Sequence, residues 1–389
     1  MRKGWEYKKL GEVCEVVTGT TPKTNIPEYW GKGHYWVTPA ELNDTTVYID
    51  KTERQITDEA LSKTKLRLLP VGTVLLSSRA PIGKVAIANA EMYCNQGFKN
   101  CICSEAIYNK YLFYFLRLKK DYLNSLGRGA TFKEISKSIV ESIKIPLPPQ
   151  STQLAIVSEL DKINELIRLK KEQLKDFDNL AQSLFYEMFG DPVENEKGWE
   201  VKKLGEICTD ITDGDHMPPP KSEFGIPFIT ISDIDKDTRC LNFENTFYVP
   251  EDYYNNLKEN RKPQKGDLLY TVTGSYGIPV IVKTDKKFCF QRHIALLRPN
   301  KEILSTIFLC YWVLSDGVKF MADKVATGIA QKTVGLNSIR KFSCILPPLS
   351  LQRLFAQRIE QIEREKSEVQ KSIQDLETLL ASRMQYWFE

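Results

Sequence analysis

Gly4-Trp5-Glu6-Tyr7-Lys8-Lys9-Leu10-Gly11-Glu12-Val13-Cys14 returns 194 positions later as Gly198-Trp199-Glu200-Val201-Lys202-Lys203-Leu204-Gly205-Glu206-Ile207-Cys208. Nine of the eleven positions are identical, and the other two exchange one apolar residue for another. Solenoid units run about 20–50 residues, so a period of nearly half the chain is not a solenoid. It marks two copies of a whole domain, suited to two copies of a target.

The repeat continues beyond this phrase. Gly72-Thr73-Val74-Leu75-Leu76-Ser77-Ser78-Arg79-Ala80-Pro81-Ile82-Gly83-Lys84-Val85-Ala86-Ile87 aligns, at the same offset, with Gly266-Asp267-Leu268-Leu269-Tyr270-Thr271-Val272-Thr273-Gly274-Ser275-Tyr276-Gly277-Ile278-Pro279-Val280-Ile281. Each reads as strand, glycine-containing turn, strand. Tyr35 to Pro39 and Pro227 to Ile231 predict a matching pair of strands, and Asn109 to Asn124 and Ser305 to Lys319 predict aromatic-rich helices. Pro148-Pro149 and Pro347-Pro348 close the two domains, because a proline pair cannot enter a helix interior. Ser151 and Ser350 follow as expected helix N-caps.

Leu160, Ile163, Ile167, Lys170, Leu174, Phe177, Ala181, Leu184 and Met188 then step by three and four. So do Ile359, Ile362, Lys366, Val369, Ile373, Leu376, Leu380, Arg383 and Trp387, 199 positions on. This is a coiled-coil seam in one heptad phase. A helix with such a stripe must bury it, and the two most simply bury their seams against each other; packing of each on its own domain is the alternative. At ~1.5 Å per residue each extends ~55–60 Å, long enough for a ruler. The expected architecture is α+β: domain 1 over residues 1–149, a helix over 150–190, domain 2 over 191–349 and a helix over 350–389. Two homologous mixed domains are thus joined by two long antiparallel helices forming a coiled coil.

A chain of 389 residues with 42% hydrophobic and 27% charged residues has the balance of an ordinary globular protein. The opening Met1-Arg2-Lys3-Gly4-Trp5-Glu6 has no apolar run, so no signal peptide is expected, and no apolar stretch could span a membrane. Nine scattered cysteines without a Cys-x-x-Cys pair, and only His34, His216 and His293, argue for reduced thiols in a cytoplasmic protein and against a metal site. Net charge is +4, distributed unevenly: residues 1–149 carry 22 Lys/Arg against 15 Asp/Glu, and residues 191–349 carry 21 against 21. The first domain suits a polyanion; the second must gather its basic groups on one face.

Catalytic machinery is not evident. The phosphate loop, dinucleotide turn, His-Glu-x-x-His and Gly-x-Ser-x-Gly signatures are all missing. Met217-Pro218-Pro219-Pro220 is only superficially like a methyltransferase loop, lacking the polar and aromatic residues that hold a base. No catalytic residue is expected.

Several phrases together resemble the target-recognition domain of type I restriction-modification specificity subunits. These are Thr18 to Lys23, Pro27 to Trp30, Trp36 to Ala40, Ser77 to Gly83 and Asn95 to Phe98, with Ile211 to His216 and Gly225 to Phe228 in the second half. Pro146 to Pro149 with Gln153, and Leu346 to Pro348 with Gln352, resemble that family's entrance to its spacer helices. The resemblance covers essentially the whole chain. It implies a non-catalytic subunit bound to double-stranded DNA, each domain reading half of a bipartite asymmetric site. The helices would set the spacing and dock two methyltransferase (modification) subunits, with two ATP-dependent restriction subunits in the full complex. S-adenosylmethionine, ATP and magnesium would then belong to the partners, and this chain would hold no cofactor. The rivals are a two-headed protein scaffold that binds no DNA and a self-sufficient methyltransferase.

Base reading needs donors and acceptors, and affinity needs cations near phosphates. In domain 1, Thr20, Thr21 and Lys23 form a hydroxyl-rich loop with one amine, or a solvated turn. Arg79 is a phosphate or guanine contact, or an ion-pair partner. Asn95 and Gln96, with Gln291 and Arg292 in the corresponding place, read adenine or satisfy buried backbone. Arg128, Thr131 and Lys133, with Gln331 and Lys332, follow glycines as phosphate clamps or helix caps. Asp213, Asp215 and His216 accept from cytosine or hold a loop. Lys221, Ser275 and Tyr276 complete the candidates. The second hairpin has no arginine where the first has Arg79, so unequal contributions are expected.

Overall fold

The computed structural model describes residues 5–128, 133–214, 219–328 and 331–389. It divides into two compact units: Met1–Lys171 with Lys371–Glu389, and Glu172–Gln370.

In the first unit, a five-stranded sheet runs in the order Cys14–Thr18, Lys99–Cys103, Val74–Leu76, Val85–Ala88, Tyr48–Ile49. Val74–Leu76 and Val85–Ala88 form the expected hairpin, with Leu76 opposite Val85. Every residue of both strands is buried, so their β-branched and aliphatic run needs no polar face. A three-stranded sheet, Gln55–Ile56, Trp30–Val37 and Tyr93–Cys94, adjoins it. Glu6–Lys9 pairs antiparallel with Lys144–Leu147, clasping the two ends of the domain.

The second unit repeats the plan. Its four-stranded sheet is Cys208–Asp213, Ile294–Pro299, Leu268–Thr271, Pro279–Ile281, and its three-stranded sheet is Phe247–Val249, Ile226–Ile229, Cys289–Phe290. Glu200–Lys203 and Ser343–Leu346 form the clasp.

Tyr111, Phe113, Tyr114, Phe115, Tyr311 and Trp312 are core, none more than 5% exposed. Both aromatic-rich helices are shorter than their pattern predicts. Asn109–Leu118 is followed by a separate Lys120–Leu126, and Thr306–Leu314 by Asp316–Val325. Ser315 makes the second break: its backbone is extended and its hydroxyl donates to Trp312 O at 2.7 Å, a local bond that competes with the helix.

The long helices are Gln150–Phe189 and Leu349–Phe388, each of 40 residues. They begin before Ser151 and Ser350, so those serines are not the caps. The carbonyls of Pro149 and Pro348 accept the first helical bonds instead, from Gln153 N and Gln352 N at 3.1 Å. The same two glutamines dock each helix on its domain. Gln153 accepts from Tyr108 N and donates to Ala106 O and Pro148 O. Gln352 accepts from Ser305 N and donates to Ile303 O and Pro347 O. Both are wholly buried.

Within the first unit, the start of the first helix meets the end of the second. Arg383 Nη2 and Trp387 Nε1 donate to Glu159 Oε2 at 3.1 and 3.0 Å, and Lys171 Nζ reaches Glu377 Oε1 at 2.8 Å. Within the second unit, Lys366 Nζ donates to Asp178 Oδ1 at 2.8 Å. The sense is antiparallel in each. Lys366, only 9% exposed, is therefore a polar seam residue with a partner across the seam. The helix ends then plug the domain cores. Phe388 packs on Tyr111 and Phe115, and Phe185 and Phe189 pack on Phe308 and Phe355.

Candidate nucleic-acid interface

The hairpin turn of the first unit is closed by one hydroxyl. Ser77 Oγ donates to Pro81 O and accepts from Lys84 N, each at 2.8 Å, and so shapes the turn carrying Arg79. The next residue laces that turn to two other segments: Ser78 N donates to Gly97 O at 2.7 Å, and Ile135 N donates to Ser78 O at 3.0 Å. Gly19 admits a third segment, since a Cβ there would lie 2.0 Å from Asn95 O. Thr20 N consequently reaches Cys94 O at 2.9 Å, and Thr21 Oγ1 donates to Gln96 Oε1.

Thr20, Thr21, Arg79, Asn95 and Gln96 are thus brought together. The backbones of Arg79 and Arg128 both pair antiparallel with Glu134, Arg128 N donating to Glu134 O at 3.1 Å, with Lys133 exposed beside it. Lys23 is exposed, and its carbonyl accepts from Trp30 Nε1 at 3.3 Å. Asn95 Oδ1 accepts from Gly97 N at 2.9 Å, the backbone-satisfying alternative, while Gln96 is exposed.

Arg79 adopts its ion-pair alternative. Glu134 accepts from Arg79 Nε and from Lys99 Nζ, both at 2.9 Å. Burial pushes the Glu134 carboxyl up, but the bonds from Lys99 and Arg79 outweigh it and hold the group below its ordinary value. Lys99 is 5% exposed, so its ammonium depends on this partner and on Ser78 Oγ at 3.3 Å.

The second unit repeats the frame with equivalent bonds at the turn. Thr271 Oγ1 donates to Ser275 O at 2.8 Å and accepts from Ile278 N at 3.0 Å. A Cβ on Gly214 would lie 1.9 Å from Phe290 O. Gln291 N reaches Ile229 O at 3.0 Å, as Asn95 N reaches Val37 O at 3.2 Å. The charges do not repeat. Thr273 and Thr333 stand where Arg79 and Glu134 stand, their hydroxyls 3.2 Å apart, and Ala295 stands where Lys99 does; His293, whose carbonyl accepts from Val272 N as Gly97 O accepts from Ser78 N, holds the place of Gly97.

Ser275, Tyr276, Gln291, Gln331 and Lys332 line one concavity of about 790 Å³ together with His293. Tyr276 Oη donates to Asp323 Oδ1, which raises the phenol above its ordinary value. Lys236 Nζ donates to Ser275 Oγ at 3.1 Å. Burial, with the nearby Arg292 cation, lowers His293 below the usual histidine value. Arg292 itself is exposed. Asp213 faces Arg261 at 3.6 Å, the loop-holding alternative. Lys221 lies over the Phe247 ring and does not line the concavity. Thr131, Asp215 and His216 fall outside the described residues.

The residues missed in sequence are Lys99, Glu134, His293 and Thr333. A signal existed for Glu134 and Thr333, which hold one place at offset 199 beside Lys133 and Lys332, and His293 directly follows Arg292; Lys99 has only Ala295 as its counterpart. Among the described residues, no group of His, Cys, Asp or Glu could hold a metal ion, and no helix is long and apolar enough to cross a membrane.

Residues 2–176 and 196–378 match the family described as type I restriction modification DNA specificity domain. The chain is 38% identical over 255 residues to the type I restriction enzyme MjaIX specificity subunit of Methanocaldococcus jannaschii, covering 60% of this chain and 59% of that protein, less than two thirds of its length. It is 24% identical to the MjaVIII specificity subunit of the same organism, over 97% of this chain and 92% of the relative. With the EcoR124I/EcoR124II specificity subunit of Escherichia coli it shares 32% over 168 residues, 41% of each chain. A chain solved in work on complex assembly and conformational transition of the type I R-M system superposes with a TM-score of 0.67 at 21% identity, covering 99% of this chain and 97% of that one. The type I S subunit from M. genitalium superposes at 0.51 and 14% identity, covering 99% and 96%. These two are likenesses of fold.

Proposed function

This chain belongs to the type I restriction modification DNA specificity family, and from that premise we propose that it is the DNA-reading subunit of a cytoplasmic restriction-modification complex. Each domain reads one half of a bipartite, asymmetric site on double-stranded DNA. The long helices set the spacing and dock two modification subunits, and two restriction subunits complete the assembly. The chain performs no catalysis; S-adenosylmethionine, ATP and magnesium act in the partners.

One observation carries this reading. The same loop frame is built twice, by Ser77 and Thr271, Gly19 and Gly214, Asn95 and Gln291, and is fitted with different polar side chains. A repeated frame with unlike fittings suits two related but unequal sequences, since phosphate contacts position a reader and side chains at base edges specify it.

The test is an electrophoretic-shift titration of the chain assembled with modification subunits on DNA carrying the methylated site. Affinity should fall steeply, by orders of magnitude, between low and physiological salt. Salt-independent binding, or none, would favour a protein scaffold, and methyl transfer by the purified chain alone would favour a self-sufficient methyltransferase. Inserting four residues between Lys170 and Leu174 adds ~6 Å of helix. At ~3.4 Å per base pair the DNA spacer should lengthen by one or two base pairs with both half-sites unchanged. Altered half-sites over an unchanged spacer would end the ruler idea.

A further inference from the structure

The second unit contains a cavity of about 590 Å³ bounded by the strand Pro279–Ile281, the helix Thr306–Leu314 and the helix Leu349–Phe388. Its wall is largely apolar, from Ile281, Val282, Ile307, Cys310 and Ile359, with Tyr311 among them. Small-molecule sites commonly have this size and this mixture of apolar wall and few polar groups.

The first unit fills the corresponding space. Asn109 Nδ2 donates to Gly72 O at 3.0 Å and Thr306 Oγ1 donates to Gly266 O at 2.6 Å, which aligns the two helices residue by residue. Lys110 then corresponds to Ile307 and Tyr114 to Tyr311; on the long helices, Asp161 corresponds to Glu360 and Asn164 to Glu363. In the first unit Asp161 accepts from Lys110 Nζ at 2.7 Å and from Tyr114 Oη at 2.6 Å, and Asn164 Nδ2 donates to the same phenol at 3.1 Å.

None of this survives in the second unit. Ile307 has no amine, Glu363 turns to Lys366 at 3.4 Å, and Glu360 forms no ion pair among the described residues. Tyr311 is 5% exposed, and its hydroxyl makes no hydrogen bond among the described residues. Lining the cavity with no partner among those residues, that hydroxyl is a natural contact for a polar atom of a ligand. At the rim, Arg239 is committed to Asp178 at 3.1 Å. Lys283 and Arg364 are exposed and form no ion pair among the described residues. Two unpaired cations face one unpaired carboxylate, so the surplus favours a negative ligand.

We infer that this cavity is a binding site for a small amphipathic anion. Ile281, Ile307 and Ile359 receive its apolar body, Lys283 and Arg364 hold its anionic group, and the Tyr311 hydroxyl meets a polar atom on it.

The experiment is a fluorescence titration of the full chain, well below its unfolding temperature, with 1-anilinonaphthalene-8-sulfonate and with its uncharged counterpart N-phenyl-1-naphthylamine. The sulfonate should bind saturably at one site and more tightly than the neutral dye. I307K/E360D/E363N, which transplants the polar filling of the first unit, should abolish binding. The surface variant K283A/R364A, which leaves the core intact, should weaken the sulfonate about tenfold, or ~1.4 kcal/mol, and leave the neutral dye unchanged. Equal binding of both dyes, no saturable binding, or an unaltered K283A/R364A titration overturns the inference. So does dye binding that vanishes when modification subunits are added, which would assign the cavity to a protein partner.

Discussion

The two loop clusters share a frame and differ in what fills it. In the first unit Arg79, Lys99 and Glu134 make an ionic triad; in the second, Thr273, Ala295 and Thr333 hold the same three places with uncharged groups. The hydroxyl bonds that shape the turn, made by Ser77 and Thr271, are the same in both. Backbone geometry therefore resists change while the groups presented on it vary. This also locates part of the charge imbalance between the halves, since Arg79 and Lys99 have no cationic counterparts among the described residues of the second cluster. A buried ammonium is tolerable only with its carboxylate, so the triad must change as a set.

If the difference is confined to the loops, the cores should respond alike. Phe189→Ala and Phe388→Ala remove the helix-end plugs, which are wholly buried and 3% exposed. Each should cost about 4 kcal/mol, and within about 1 kcal/mol of the other, in denaturant unfolding. A gap above about 2 kcal/mol would mean that the units differ in their cores as well.

The clusters themselves should respond unequally. Glu134→Ala strands Lys99 and should cost about 2–3 kcal/mol, below the range of a fully buried pair because the Glu134 side chain is 33% exposed. Thr333→Ala loses one hydroxyl bond and should cost about 1 kcal/mol or less. Equal losses would break the comparison.

Phosphate attraction gives a smaller effect. Lys133→Ala in the first unit and Lys332→Ala in the second should each lower the salt slope of DNA binding by about one, whereas Gln331→Ala should leave the slope unchanged and alter sequence preference. A slope change with Gln331→Ala, or none with either lysine, would reverse those roles.

The smallest effect separates the clusters by pH. Burial and Arg292 hold His293 below its ordinary value, so the unfolded chain takes that proton first. The resulting stability is present above about pH 6.5 and is lost as pH falls through the lowered folded value. Glu134 is also lowered, its burial being outweighed by Lys99 and Arg79, so its contribution persists down to about pH 4 and is lost only below it. Amide hydrogen exchange at the two hairpins should show the second loosening at the milder pH. Loosening of the first hairpin at the milder pH would contradict both shifts.

Much of the architecture was legible in the chain. The hairpins around Ser77 and Thr271, the strands ahead of them and the two long helices follow from repeat and periodicity, which are properties of neighbouring residues. Less was legible at element ends. Ser151 and Ser350 have the right residue type for caps, yet the proline carbonyls and the buried glutamines Gln153 and Gln352 set the helix starts. Ser315, an ordinary residue in an apolar run, broke a helix by bonding to its own preceding turn.

By itself, then, the sequence determined that there are two domains, that each carries the same hairpin, and that two helices need partners for their stripes. Tertiary structure alone decided that Glu134 answers both Arg79 and Lys99, 55 and 35 residues away, and that Asp178 receives Lys366 across 188 residues. Periodicity is written locally because neighbours on one helix or strand share a backbone geometry. Which distant charges come within 3 Å depends on how the whole chain closes, and no local pattern records that distance.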